Sequence, residues 1–138
     1  MKLLKLIFLF ILIFSNLNAS SNYFNEGVSL FNEKKLEKAK FSFEKAIVFN
    51  PKNIKAYLYL SKIFNAQNNI KLEKQNLNTV ILLNPSNEEA TYNLAKLKLS
   101  ESDFLGSKML NEKLIVFCKE YCNKSEKLKL EIKNSQKR

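Results

Sequence analysis

Histidine is absent from this 138-residue chain, and so is tryptophan. Without histidine, the commonest general base and the commonest metal ligand are both missing. The only cysteines, Cys118 and Cys122, cannot complete a tetrahedral zinc site by themselves. Two glycines, Gly27 and Gly106, are too few to write a phosphate-cradling loop. Serines stand without an activating base. The carboxylates Glu88, Glu89, Glu101 and Asp103 suit helix starts, where negative charge complements the backbone dipole. No catalytic constellation emerges, so no enzyme, metal or cofactor is expected. Arginine is nearly absent as well: 22 of the 23 basic residues are lysine and Arg138 is the exception. Arginine is the usual bidentate phosphate ligand, so the net charge of +10 does not read as a nucleic-acid surface.

Proline occurs only at Pro51 and Pro85, 34 residues apart, and the residues before each follow one pattern. The first pass reads Tyr23-x2-Glu26-Gly27-x2-Leu30, then Ala39-x3-Phe43, Ala46 and Pro51. The second reads Tyr57-x2-Leu60-Ser61-x2-Phe64, then Glu73-x3-Leu77, Val80 and Pro85. Gly27, Ser61, Ala39 and Ala46 are small where paired helices must approach, and the large residues fill the space between them. Proline lacks the amide donor and ends each second helix, while Asn50 and Asn84 before it are pushed out of the helical region.

This pattern resembles the tetratricopeptide repeat, whose signature is W-x2-L-G-x2-Y, A-x3-F and a closing P on a 34-residue period. The resemblance implies an all-α fold: a tetratricopeptide-like helix-turn-helix repeat array, or α-solenoid, with a C-terminal capping helix. Glu26 departs from the usual leucine, and Glu73 from the usual alanine. Repeats fall at about 20–53 and 54–87, with a degenerate third over 88–118, inside a domain of 20–123. The third keeps Leu94-Ala95 and Asp103-Phe104 but has Ser107, Asn111 and Leu114 where small and aromatic residues are expected. A final amphipathic segment, near Ser125 to Ser135, carries Leu128 and Ile132 on one face and Lys124, Lys127, Lys129 and Lys133 around them. With Ser125 as its cap, it is expected to cover the last core face, so 124–138 reads as capping helix and basic tail.

At the other end, Met1-Lys2-Leu3-Leu4-Lys5 precedes an apolar run from Leu6 to Phe14, then Ser15, Asn16 and the small Ala19. These are the three parts of a secretory signal peptide, with cleavage expected after Ala19. The run is short for a bilayer, which takes ~20 residues; an uncleaved N-terminal anchor is the alternative. Ser20 stands where a lipid-modified cysteine would have to be. Export to a bacterial periplasm or cell envelope follows from this reading, and the charge drops to +8 because Lys2 and Lys5 leave with the leader.

Export would place Cys118 and Cys122 in a disulfide-permissive compartment. Residues four apart on an intact helix hold their Cβ atoms ~5–6 Å apart, against about 3.8 Å in a disulfide. A bond therefore requires the helix to end or distort between them. A structural clip is expected; a redox-active pair and free thiols are the alternatives. From residue 119 onward, seven basic residues face three acidic ones, so the tail is the candidate for weak contact with an acidic partner or an anionic membrane surface.

In the family that the chain resembles, the first helix of each pair lines a concave groove that holds a peptide or helix of another protein. The residues implied to face inward are Phe24, Val28 and Phe31, then Leu58, Lys62 and Asn65, then Tyr92, Lys96 and Leu99. Aromatic anchors with interspersed lysines suit an apolar partner segment of some acidic character. Some relatives grip a C-terminal carboxylate here, but Phe24, Val28 and Glu89 occupy three of the places that clamp needs. The sequence thus points to a non-catalytic adaptor with a protein partner. Its rivals are a thiol-redox accessory using Cys118 and Cys122, a homo-oligomer burying its own groove, and a stripe that is simply core covered by the terminal helix.

Overall fold

Helix starts recur every 34 residues. The structure, a computed structural model, describes residues 19–136; of the leader read over residues 1–19, residues 1–18 lie outside the described residues. Helix α1 covers residues 19–32 of the described part. It is followed by α2 (Leu36–Phe49), α3 (Ile54–Ala66), α4 (Ile70–Leu83), α5 (Glu88–Ser100), α6 (Phe104–Phe117) and α7 (Cys122–Ser135). Second helices begin at Leu36, Ile70 and Phe104; first helices begin at Ile54, Glu88 and Cys122. The period therefore persists through the pair whose signature fades, and α7 begins where the first helix of a fourth pair would. The described residues contain no strand. They divide into two units between Ile63 and Phe64, inside α3.

Within each pair the turn is the same. Lys34, Asn68 and Ser102 take left-handed φ values of 61°, 55° and 61°. The next amide reaches back five residues: Lys35 to the Leu30 carbonyl at 2.9 Å, Asn69 to Phe64 at 2.8 Å and Asp103 to Lys98 at 2.8 Å. This is the Schellman closure of a helix C-terminus. Side-chain oxygens cap the starts that follow: Asn53 accepts from the Ala56 amide, Asn69 from Leu72, Asn87 from Ala90 and Asp103 from Gly106. The second helices end as the prolines demand, with Asn50 and Asn84 extended at φ −142°. Cys118 ends α6 in an extended conformation too, though no proline follows it.

In the N-terminal unit Ala39, Phe43 and Ala46 are fully buried. A Cβ on Gly27 would lie 2.7 Å from the Phe43 ring, which is why this position must be glycine. Glu26, at the leucine position, accepts a hydrogen bond from the Ser42 hydroxyl at 3.1 Å. In the C-terminal unit Leu77, Val80, Ala95 and Leu114 are buried. Glu73 sits at the alanine position only 6% exposed, and both its oxygens accept from the Asn65 amide at 3.1 Å. Burial pushes its carboxyl above the usual range, partly countered by that bond.

Helix α7 packs Leu128 and Ile132 against Ala95, with Tyr92, Leu99 and Leu110 beside them. It begins at Cys122, ahead of the expected cap. Ser125 caps nothing: it is buried one turn inside, donating to Asn111 Oδ1 at 2.8 Å while the Asn111 amide donates to the Ser125 carbonyl at 3.0 Å. The amides that precede the helix have a partner on α5. Lys119, Glu120 and Tyr121 each donate a backbone N–H to the Glu88 carboxylate at 2.9 Å.

Candidate partner-binding site

On α1, the side chains of Phe24, Val28 and Phe31 are half-buried. Phe24 lies 5.7 Å from the Phe43 ring and 5.8 Å from Tyr59, and Phe31 lies 5.2 Å from Tyr59 edge-on. Tyr59 stacks on Phe43 at 4.9 Å, and the Lys62 ammonium stands 5.1 Å from the Tyr59 ring centre. Leu58 is a correction to the sequence reading: at 9% exposure it belongs to the core and cannot meet a partner. Successive helical residues point about 100° apart, and Tyr59, the next residue, is the one that joins Phe24 and Phe31. Asn65 is exposed but its amide is committed to Glu73.

In the C-terminal unit, Tyr92 of α5 meets Tyr121 of the α6–α7 loop with ring centres 5.5 Å apart. The Lys124 ammonium sits 4.0 Å from the Tyr121 centre and 5.8 Å from that of Tyr92, and Lys96 stands 5.9 Å from Tyr92. These are cation–π distances. Burial, with the charges of Glu89 and Glu120 next in order, raises the Tyr121 pKa, so its hydroxyl stays a neutral donor at pH 7. Two ammonium groups beside two phenols can accept a carboxylate and an apolar neighbour together. Leu99, by contrast, packs against the Ala95–Leu128–Ile132 cluster.

Sequence spacing selected Tyr92 and Lys96 but missed Tyr121 and Lys124, because these reach Tyr92 only through the path of the α6–α7 loop. Glu88 sets that path. The three amide bonds hold its carboxyl below the usual range, those of Lys119 and Tyr121 most strongly. Glu88 is thus an anchor for the loop, beyond the helix-start charge read from the sequence. The same loop brings the sulfurs of Cys118 and Cys122 to 2.08 Å, with Cα atoms 5.3 Å apart. Cys118 is the extended C-cap that follows α6, so α6 has ended before Cys122, which meets the geometric condition set by the spacing.

The fold is that of tetratricopeptide-repeat domains. The Arabidopsis OM64 TPR domain superposes with a TM-score of 0.73 at 18% identity, covering 84% of this chain and 98% of that one. The first TPR of Spaghetti (RPAP3), solved bound to the HSP90 peptide SRMEEVD, gives 0.72 at 14% identity over 84% and 94%. The type III secretion translocator chaperone SycD of Yersinia enterocolitica gives 0.69 at 12% identity over 85% and 90%. No protein-family model matches the sequence, and no curated protein matches it. The architecture is therefore all-α and of tetratricopeptide type.

Proposed function

We propose that this chain is a non-catalytic adaptor that is exported to the cell envelope and holds an apolar, acid-bearing segment of a protein partner. The observation that carries this is the cluster of Tyr92, Tyr121, Lys96 and Lys124, an aromatic surface carrying two ammonium groups. The Phe24–Phe31–Tyr59 rings with Lys62 form a second surface of the same chemistry on the N-terminal unit. The acidic peptide held by the Spaghetti domain supports a peptide as ligand. Phe24 and Val28 at two places of the carboxylate clamp argue for a different sequence preference here.

Export has support in the register. Cleavage after Ala19 would start the mature chain at Ser20, which lies 34 residues before Ile54, the first residue of α3. The Ser20 hydroxyl is buried and donates to the Ala46 carbonyl at 2.9 Å. In an oxidising compartment the Cys118–Cys122 pair would be a structural disulfide that fixes the turn into α7.

The test is a crosslinked pull-down of the tagged protein from envelope extract, with intact mass measured on the recovered chain. We expect a processed chain beginning at Ser20 and one envelope protein retained by wild type but lost from the Lys96→Ala/Lys124→Ala variant, with an unchanged melting temperature. Equal retention by the variant would refute the site, and a full-length recovered chain would refute processing.

A further inference from the structure

Helix α7 stands in the register of a fourth first helix, and the chemistry of its far side differs from the other three. In the third pair, Ala95 is the small residue against which the second helix packs, and its carbonyl accepts the Ser107 hydroxyl of α6 at 2.8 Å. Thirty-four residues on, the corresponding residue of α7 is Lys129. A groove of about 310 Å³ lies at this position between α6 and α7. Ile115 of α6 and Leu130 of α7 line it and remain 36% and 61% exposed; an exposed leucine is unusual on a terminal helix, whose outer face should be polar. Lys108, Lys129 and Lys133 stand around it with Glu112. The ion pairs here are long and exposed, Lys108 to Glu112 at 3.8 Å and Lys129 to Glu126 at 3.8 Å, so they leave the ammonium groups available to a better partner.

We propose that this groove is a second docking surface, beyond the aromatic–lysine cluster, and that it takes an amphipathic helix of a partner protein with acidic residues beside its apolar face. The occupant lies where a fourth second helix would pack. Charge decides its chemistry. An ordinary repeat helix would press small residues onto this face of α7, but the Lys129 side chain demands a carboxylate opposite it. A second copy of this chain related by a two-fold axis would bring the same three lysines to the contact, and like charges face to face oppose association. The chain's own N-terminal segment carries Lys2 and Lys5 and no acid.

The probe is a labelled 14-residue helical peptide, the length of α4 and α6, with leucines on one face and glutamates beside them; a control carries lysine for each glutamate. Binding to the full chain is read by fluorescence anisotropy. The acidic peptide is expected to bind in a salt-dependent way and the lysine control not to bind. Lys129→Ala/Lys133→Ala and Leu130→Ser should each weaken the acidic peptide at least tenfold with no change in melting temperature. Lys71→Ala, at an exposed lysine of α4, should leave it unchanged. Equal binding of both peptides, no binding at millimolar peptide, or loss on Lys96→Ala/Lys124→Ala alone would overturn the proposal. So would light scattering that shows a dimer broken by Leu130→Ser, which would assign the groove to a second copy.

Discussion

Gly27 shows how far one residue type can be dictated by a neighbour. Phe43 is fully buried and stacked on Tyr59, so its ring cannot retreat from any side chain placed at residue 27. Gly27→Leu should therefore cost ~1–3 kcal/mol of stability, the usual range for overpacking. Thermal or urea melts measure it; an unchanged midpoint would mean that α1 and α2 do not meet at this position. Glu73 is the opposite case, a large charged residue at a small-residue position. It is tolerated because Asn65 supplies a donor to both oxygens, although burial still disfavours the ionised form.

At the level of the helix, the three Schellman turns share one backbone and differ in the residue that must take positive φ. Asn68 accepts that conformation readily, whereas Lys34 has a Cβ and a long side chain to accommodate. Lys34→Gly should stabilise the protein by about 0.5–1 kcal/mol, the left-handed penalty being partly offset by glycine's greater freedom in the unfolded chain. Asn68→Gly should give a smaller gain. Urea midpoints compare the two, and a loss of stability in Lys34→Gly would mean that the lysine side chain contributes more than the strain removes.

Across the C-terminal unit, the Glu88 carboxylate ties the start of α5 to the start of α7, 34 residues away. Where earlier pairs close with Asn50 or Asn84 and a proline, the third has Cys118 and Lys119. Lys119, unlike proline, has an amide to donate, and Glu88 takes it. Because the folded carboxyl titrates below its usual value of 4.5, its stabilisation is complete above that pH and fades as the pH falls through the lowered folded value. Glu88→Gln should melt below wild type at pH 7, and the gap should close toward pH 3. A gap independent of pH would show that the carboxylate charge plays no part in holding the loop.

The two prolines, the small residues at Gly27, Ser61 and Ala39, and the 34-residue period made the helical repeat legible from the sequence alone, because each answers a local steric demand of paired helices. The third pair was harder to read: Ser107, Asn111 and Ser125 satisfy their hydrogen bonds with partners 12 to 14 residues away, and no local pattern announces such pairing. Tertiary packing also chose between Leu58 and Tyr59 for the core, bound the Asn65 amide to Glu73, and assembled Tyr121 and Lys124 beside Tyr92. Helical spacing fixes which residues share a face; which of those faces is covered depends on where the chain returns, and here that was set by one carboxylate meeting three backbone amides.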